Sequence, residues 1–414
     1  MIINSLWIYL FIRALRSHFR TPRIDSGCFK NAHNAINTTK IEDHLYPLVS
    51  IIIPARNEEN NIERSLSSVL SQNYPNFELI VVDDNSTDNT LRVIQEKVNI
   101  KNGTITGLDR LKVISLTEKP EGWTGKTWAS QQGYYRSQGD LLLFTDADSY
   151  YFDKDAIELA VSYMQKENLD VLTGVPFLEL PDFWSKIVIP VWFLFTEVFG
   201  TGMADMNDPK SRAAYLMGSF FIIKRKVFED IGTFQQVREE IQEDRSLGIS
   251  IKQKGYNVKI FKVDKIISAQ FSRDASTLWH TLRRTIAPVA TESKLHVSMN
   301  LATIFFMATF PFIIFPYSLI TGLQHNPYVM SSINQQFLFS TDGALLFING
   351  TSCFLVIIAT AIKGFKKHSL IPVYSLLAGL GAVFLTIAHL YYIIQLLASN
   401  KPKPIVWRGR VIHL

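Results

Sequence analysis

Two rhythms of apolar and polar positions alternate along the first 275 residues, and long unbroken apolar runs replace them after residue 300. A continuous β-branched run at 49–53, closed by Pro54, has the composition of a strand buried on both faces of a parallel sheet. Residues 58–70 follow with Ile62, Leu66, Val69 and Leu70 at helical spacing. The same alternation predicts a strand at 78–82 ending in Asp83 and Asp84, and a helix at 91–98 entered through the polar turn 85–89. A strand at 112–116, a helix at 126–137 and a strand at 141–145 continue it. Strands alternating with helices predict βαβ units and an α/β domain around an open, mostly parallel sheet. Ligands of such sheets sit beyond the carboxyl ends of the strands, so the polar residues that follow each strand are where chemistry is expected.

The later apolar runs change the picture from a soluble domain to one with a membrane part. Stretches 301–321, 344–362 and 370–397 each reach the roughly 20 residues that cross a bilayer. Buried core helices are the alternative, but after Glu292 Asp342 is the only acidic residue left in the chain. The segment 322–343 has no Lys or Arg, whereas Lys363, Lys366 and Lys367 lie between the second and third runs. The positive-inside rule then places 363–369 and everything before residue 300 in the cytosol. Three crossings would carry Lys401, Lys403, Arg408 and Arg410 outside, against the same rule, and Pro311 and Pro316 interrupt the first run, so the crossing count stays open. At the amino end, residues 2–12 with Arg13, Arg16 and Arg20 behind them read as a short anchor rather than a cleaved leader. Residues 187–199 read equally as core of the soluble domain or as a surface helix dipping into lipid.

The expected organisation is an anchor and basic linker at 1–46, an α/β domain at 47–275, an interfacial helical segment at 276–300, transmembrane helices at 301–399 and a basic tail at 400–414. The 414 residues carry a net charge of +5, concentrated in Arg13, Arg16, Arg20, Arg23, Lys30 and the tail; beside apolar segments these suit anionic lipid heads better than nucleic acid. Cys28 and Cys353, far apart and without ligand spacing, exclude a disulfide framework or a zinc site and fit a reducing compartment.

Three acidic or polar clusters follow three strands: Pro54-Ala55-Arg56-Asn57-Glu58, Asp83-Asp84-Asn85-Ser86-Thr87-Asp88 and Asp146-Ala147-Asp148. One such cluster alone reads as a turn or cap. Three at successive strand ends concentrate negative charge that a cation must neutralise, and oxygen ligands suit Mg²⁺ or Mn²⁺ completed by substrate phosphates. Gly122-Trp123-Thr124-Gly125-Lys126-Thr127 is too short between its glycines for a P-loop, which argues against an ATPase, yet a lysine at a helix start suits a diphosphate. Glu243-Asp244 before Leu247, Ile249 and Ile251 reads as a helix start, with a general base as the alternative.

Taken together, "VSIIIPARNEENNIERSLSSVLSQNYPNFELIVVDDNSTDNT", "GWTGKTWAS", "LLLFTDADS" and "EEIQEDRSLGISIKQKGY" resemble family-2 glycosyltransferases of the GT-A fold over residues 48–265. "GWTGK" and the terminal "VWRGR" resemble a membrane subgroup that includes hopene-associated and carotenoid-acid glycosyltransferases. The resemblance implies a nucleotide site at Pro54, Arg56 and Glu58, with Asp84 on the base and Asp83 supporting the turn. It implies Lys126 facing the diphosphate, Asp146 at the ribose or metal shell, Asp148 as metal ligand, Asp244 as catalytic base and Glu243 positioning it. The chain departs from the Gln-x-x-Arg-Trp signature of processive synthases, having "WHTLRR" at 279–284, which weakens a polymerising role.

The reading is an inverting, metal-dependent, hexosyl-type glycosyltransferase of the cell membrane. It moves a sugar from a nucleotide-diphosphate donor to a membrane lipid at the cytosolic face. A polyprenyl-phosphate sugar synthase is the close alternative, and a polysaccharide synthase or a non-catalytic membrane scaffold are more distant ones. Base, sugar, acceptor and oligomeric state are not encoded legibly.

Overall fold

The computed structural model describes residues 21–25, 46–99, 110–199, 203–208, 210–211, 213–325, 341–399, 405–407 and 410–412, with Tyr9 and Ile12. Cys28, Lys30, Arg408 and most of the first 20 residues lie outside them. The chain divides into two compact units, one made of 20–179 and 203–270 and the other of 1–19, 180–202 and 271–414. Residues 187–199 therefore cluster with the carboxyl-terminal helices and not with the α/β unit.

In the α/β unit the strands are β1 Val49–Ala55, β2 Phe77–Asp84, β3 Leu111–Leu116, β4 Leu141–Phe144, β5 Ser149–Tyr151, β6 Val171–Val175, β7 Phe177–Glu179, β8 Phe221–Lys224, β9 Val258–Lys262 and β10 Ile267–Gln270. The helices that concern the site are α1 Ile62–Leu70, α2 Thr90–Asn99, α3 Gly125–Tyr135, α4 Ala156–Lys166 and α5 Glu243–Gln253. Seven strands form one sheet in the order β3-β2-β1-β4-β8-β6-β9, and β5-β10-β7 form a small second sheet. This is an α/β fold with a mostly parallel central sheet, as the alternating pattern predicts. β3, β2, β1 and β4 run parallel, as the alternating pattern requires, while β8 runs antiparallel between β4 and β6.

Every residue of β2 and all but one of β1 are buried, because helices cover both faces. Alternate residues serve opposite faces: Ile51, Ile53, Leu79 and Val81 join one core cluster, Ile52, Ile80 and Val82 the other. Pro54 does not end β1, which continues to Ala55 beside Asp83. The ladder to β4 stops at Ile52, so the missing N–H of Pro54 leaves no bond unmade on that side. The first helix begins at Ile62 and not at Glu58, since 58–61 form a turn in which the Glu58 carbonyl accepts from the Asn61 and Ile62 amides.

Residues 21–25 join the free edge of β9, with the Ile24 amide donating to the Lys262 carbonyl at 2.9 Å and the Lys262 amide to the Pro22 carbonyl at 2.8 Å. Arg23, grouped in the sequence with lipid-facing cations, instead makes a two-pronged pair with Asp264 at 3.0 and 3.1 Å.

Among the described residues, the other unit holds two helical stretches long and apolar enough to cross a membrane, Val297–Tyr317 and Pro372–Ala398. A shorter apolar segment, Ile348–Ile362, lies inside helix Thr341–His368. The first stretch contains a π turn, Phe305–Thr309, just ahead of Pro311, where the ladder loses a donor. The second opens with a 3-10 segment, Pro372–Leu377, before helix Ala378–Ser399. Helix Phe183–Phe199 buries Ile187, Val188, Ile189, Val191, Leu194 and Phe195, which favours core within this unit over a lipid-dipping helix, while Phe183 and Trp184 stay exposed. Ile405–Trp407 pairs antiparallel with Arg410–Ile412.

Candidate active site

Parallel register puts the carboxyl ends of β1, β2 and β4 at one sheet edge, and the loops leaving β1 and β2 are bonded to each other. The Arg56 guanidinium donates to the carbonyls of Asp84 and Asn85. The Asn57 amide donates to Ser86 Oγ at 3.1 Å, and Asn57 Oδ1 accepts from the Thr87 amide at 2.8 Å. Asn57 and Asn85 both adopt φ near +54°, the left-handed conformation that asparagine tolerates better than most residues. Glu58 receives Asn61 Nδ2 on its carboxylate at 3.0 Å, and its amide donates to Thr90 Oγ1 at 2.7 Å. Asp83 and Asp84 are buried, and Asp83 Oδ2 accepts from the Ser86 amide at 3.3 Å. These residues build a rigid rim at the ends of β1 and β2.

The charged centre lies beside that rim. Thr124 caps α3, its hydroxyl accepting from the Thr127 amide at 3.2 Å, and the Arg238 carbonyl accepts from the Thr124 amide at 2.7 Å and from Thr127 Oγ1 at 2.8 Å. Lys126 thus stands on a fixed first turn. Its ammonium lies 2.8 Å from Asp146 Oδ1 and 3.0 Å from Glu243 Oε1. Burial opposes the charge on Lys126, but Asp146, then Glu243 and Asp244, outweigh it and raise its pKa, so it is cationic at neutral pH. Glu243 and Asp244 form the first turn of α5, with Gln242 as the cap, so the pair opens a helix as its position before an apolar segment predicts. Asp244 Oδ1 accepts from the Arg245 amide at 2.9 Å.

Pro54, Lys126, Asp146, Glu243 and Asp244 line one cleft, together with Ser130, Phe144, Thr145, Phe221, Phe234, Leu247 and Gly218. Gly218 is the residue that reading the sequence missed. A Cβ there would stand 2.5 Å from Lys126 Nζ, 3.4 Å from Asp146 Oδ2 and 3.6 Å from Asp244 Oδ2. The antiparallel pairing of β8 on β4 puts the residues before Phe221 beside those after Phe144, which brings Gly218 to Asp146. The signal in the sequence was a Gly-Ser pair ahead of the apolar run of β8, meaningful only once the strand direction is known. Asp148 shares a tight turn with Asp146, closed by the Ser149 amide on the Asp146 carbonyl at 3.1 Å, and its own carbonyl accepts from the Gln270 amide at 3.3 Å.

Residues 50–232 match the family model described as Glycosyl transferase family 2. The chain carries a family-2 glycosyl transferase domain. It is 28% identical over 218 residues to the probable glycosyltransferase YdaM of Bacillus subtilis, covering 52% of this chain and 49% of that protein. It is 24% identical over 225 residues to a 4,4'-diaponeurosporenoate glycosyltransferase of Staphylococcus aureus, covering 54% and 56%. The chain thus spans about half the length of the curated relatives it matches. A solved mannosyltransferase from Pyrobaculum calidifontis is 17% identical with a TM-score of 0.48, covering 95% of this chain and 99% of that one. The family match takes in Lys126, Asp146, Asp148 and Gly218 and ends before Glu243 and Asp244.

Among the described residues, no three His, Cys, Asp or Glu side chains are arranged to enclose a metal ion. Two aspartates on one turn, one of them already against an ammonium, offer hard oxygen donors for part of a shell only. Hard oxygen donors of this kind suit Mg²⁺ or Mn²⁺ where phosphate oxygens and water complete the shell.

Proposed function

We propose that this protein transfers a sugar from a nucleotide-diphosphate donor to a membrane lipid at the cytosolic face, with inversion at the anomeric carbon. The observation that carries the reading is the convergence of Lys126, Asp146, Glu243 and Asp244 in one cleft at the strand ends of a family-2 domain. The rim formed by Arg56, Glu58, Asp83 and Asp84 holds the nucleoside, with Pro54 forming one wall of the cleft. Asp146 and Asp148 would hold a divalent ion, which would supply charge neutralisation at the leaving diphosphate. Lys126 adds a fixed positive charge where negative charge develops on the leaving oxygen. Asp244 takes the proton of the acceptor hydroxyl as it attacks the face opposite the diphosphate, and Glu243 aligns it. The helices Val297–Tyr317 and Pro372–Ala398 support a membrane location, as does a relative named for 4,4'-diaponeurosporenoate.

The test presents a panel of radiolabelled UDP-, GDP- and dTDP-sugars, with Mn²⁺ and extracted membrane lipids, to the full-length protein and to Asp148→Ala. Metal-dependent labelling of a lipid that survives mild acid, lost in Asp148→Ala, is expected. An acid-labile product would move the reading to a polyprenyl-phosphate sugar synthase. Labelling that is unchanged on removing metal would remove the metal assignment.

A further inference from the structure

The ammonium of Lys126 already sits where a cation is needed. It is within 3.0 Å of both Asp146 and Glu243, and among the described residues the cleft brings no other lysine or arginine to these carboxylates. Its position depends on an absent side chain: a Cβ on residue 218 would fall 2.5 Å from Nζ, well inside van der Waals contact. The backbone of Lys126 cannot drift to compensate, because Thr124 and Thr127 tie the first turn of α3 to the Arg238 carbonyl. The side chain has four rotatable bonds and is one-third exposed, so the ammonium can swing while its backbone stays fixed.

A divalent ion on Asp146 and an ammonium on Asp146 Oδ1 would stand on the order of 4 Å apart, where like charges repel strongly in a partly buried site. Both cannot be held by Asp146 at full strength. A diphosphate removes the conflict, since it offers the ammonium a new anionic partner and gives the ion its remaining oxygen ligands.

We propose that Lys126 is a tethered cation that competes with the divalent ion for Asp146 until a nucleotide diphosphate draws it away, and that Gly218 is the positioning residue that makes this exchange possible. Metal and nucleotide then bind with positive coupling, each favouring the arrangement the other needs. Premature metal loading is suppressed, and the acidic cleft stays neutralised between turnovers. The inference rests on the metal assignment to Asp146 and Asp148 made above.

Mn²⁺ binding to full-length protein in detergent, followed by titration calorimetry and by the loss of the free-ion electron paramagnetic resonance signal, tests it without any turnover. Mn²⁺ alone is titrated into wild type, Lys126→Met, Lys126→Arg and Gly218→Ala, then again with UDP or GDP, whichever wild type binds. Lys126→Met is expected to bind Mn²⁺ alone at least tenfold more tightly than wild type, and to show correspondingly weaker coupling to nucleotide, the remainder coming from direct ligation of the ion by the diphosphate. Lys126→Arg, which keeps the charge, is expected to stay within about threefold of wild type. Gly218→Ala, which drives the ammonium off Asp146 while keeping it in the protein, is expected to tighten Mn²⁺ binding as Lys126→Met does. Equal Mn²⁺ affinity in wild type and Lys126→Met, with nucleotide-supported binding that depends on Asp148, overturns the competition and leaves the metal assignment standing. Absence of Asp148-dependent Mn²⁺ binding in wild type with nucleotide overturns both.

Discussion

Phe144 of β4 pairs with Phe221 of β8 across an antiparallel ladder, and their rings stack with centroids 5.0 Å apart and planes inclined by 25°. This pair lines the cleft, and Asp146 and Gly218 lie just beyond the ends of the two strands. Replacing Phe221 by Ala removes a buried ring from a cluster that also holds Phe228 and Phe234. The expected loss of stability is about 3–5 kcal/mol, read from denaturant unfolding of the purified protein. A loss under about 1 kcal/mol would show that the pair is not packed as described.

Asp244→Asn keeps the size and the acceptor oxygen for the Arg245 amide but removes the base. The expected outcome is a kcat lower by about 10²–10⁴-fold, with the donor dissociation constant nearly unchanged. Unaltered turnover would assign the base elsewhere, and a matching fall in donor affinity would assign Asp244 to donor binding instead.

Glu78 is a buried carboxylate on β2 held by Ser50 Oγ, the Gln138 amide and Lys112 Nζ, each at 2.6 Å. Burial pushes its carboxyl up, but the bonds from Lys112, Ser50 and Gln138 outweigh this and hold it below the usual value. A lowered folded-state pKa gives stability that is complete above the unfolded pKa of about 4.3 and is lost as pH falls through the folded value. Glu78→Gln should cost about 1.5–3 kcal/mol at pH 7 and flatten the acid limb of the stability curve below about pH 4.3. An acid limb identical to wild type would place the acid sensitivity elsewhere.

Gly133 lets α3, the helix that bears Lys126, lie directly on the sheet. A Cβ there would stand 2.5 Å from Ile52 Cγ2 and 3.2 Å from Val82 Cγ2. Gly133→Ala should therefore destabilise by about 1–3 kcal/mol despite the better helix propensity of alanine. Gly133→Ala combined with Ile52→Ala, which removes the Cγ2 methyl that the new Cβ would meet, should cost less than the sum of the two single variants. A single variant more stable than wild type would mean that the helix has room to move.

The proposed membrane location has a direct check. Cells expressing the full chain are lysed and the membranes washed with alkaline carbonate, and the protein is expected to stay in the pellet and leave it only with detergent. Release by carbonate would turn Val297–Tyr317 and Pro372–Ala398 into core helices and remove the lipid-face reading.

The sequence alone determined what depends on local order. Continuous β-branched runs and helical spacing marked β1 to β4 and their helices to within a few residues, because buried parallel strands and amphipathic helices leave periodic signatures. Polar residues at the ends of β1, β2 and β4 were legible for the same reason, since chain order fixes which residue follows which strand. Tertiary structure decided the rest. The antiparallel direction of β8 leaves no trace in a four-residue apolar strand, yet it is what carries Gly218 to Asp146. The placing of Glu243 against Lys126, more than 100 residues away, depends on how α5 docks, and the burial of Ile187, Val188, Ile189, Val191, Leu194 and Phe195 depends on packing within the other unit. Arg23, a surface cation by composition, became a structural partner of Asp264 because residues 21–25 met an open strand edge. Local propensity depends on neighbours in the chain, whereas strand direction and ion pairing depend on neighbours in space, which one linear pattern does not specify.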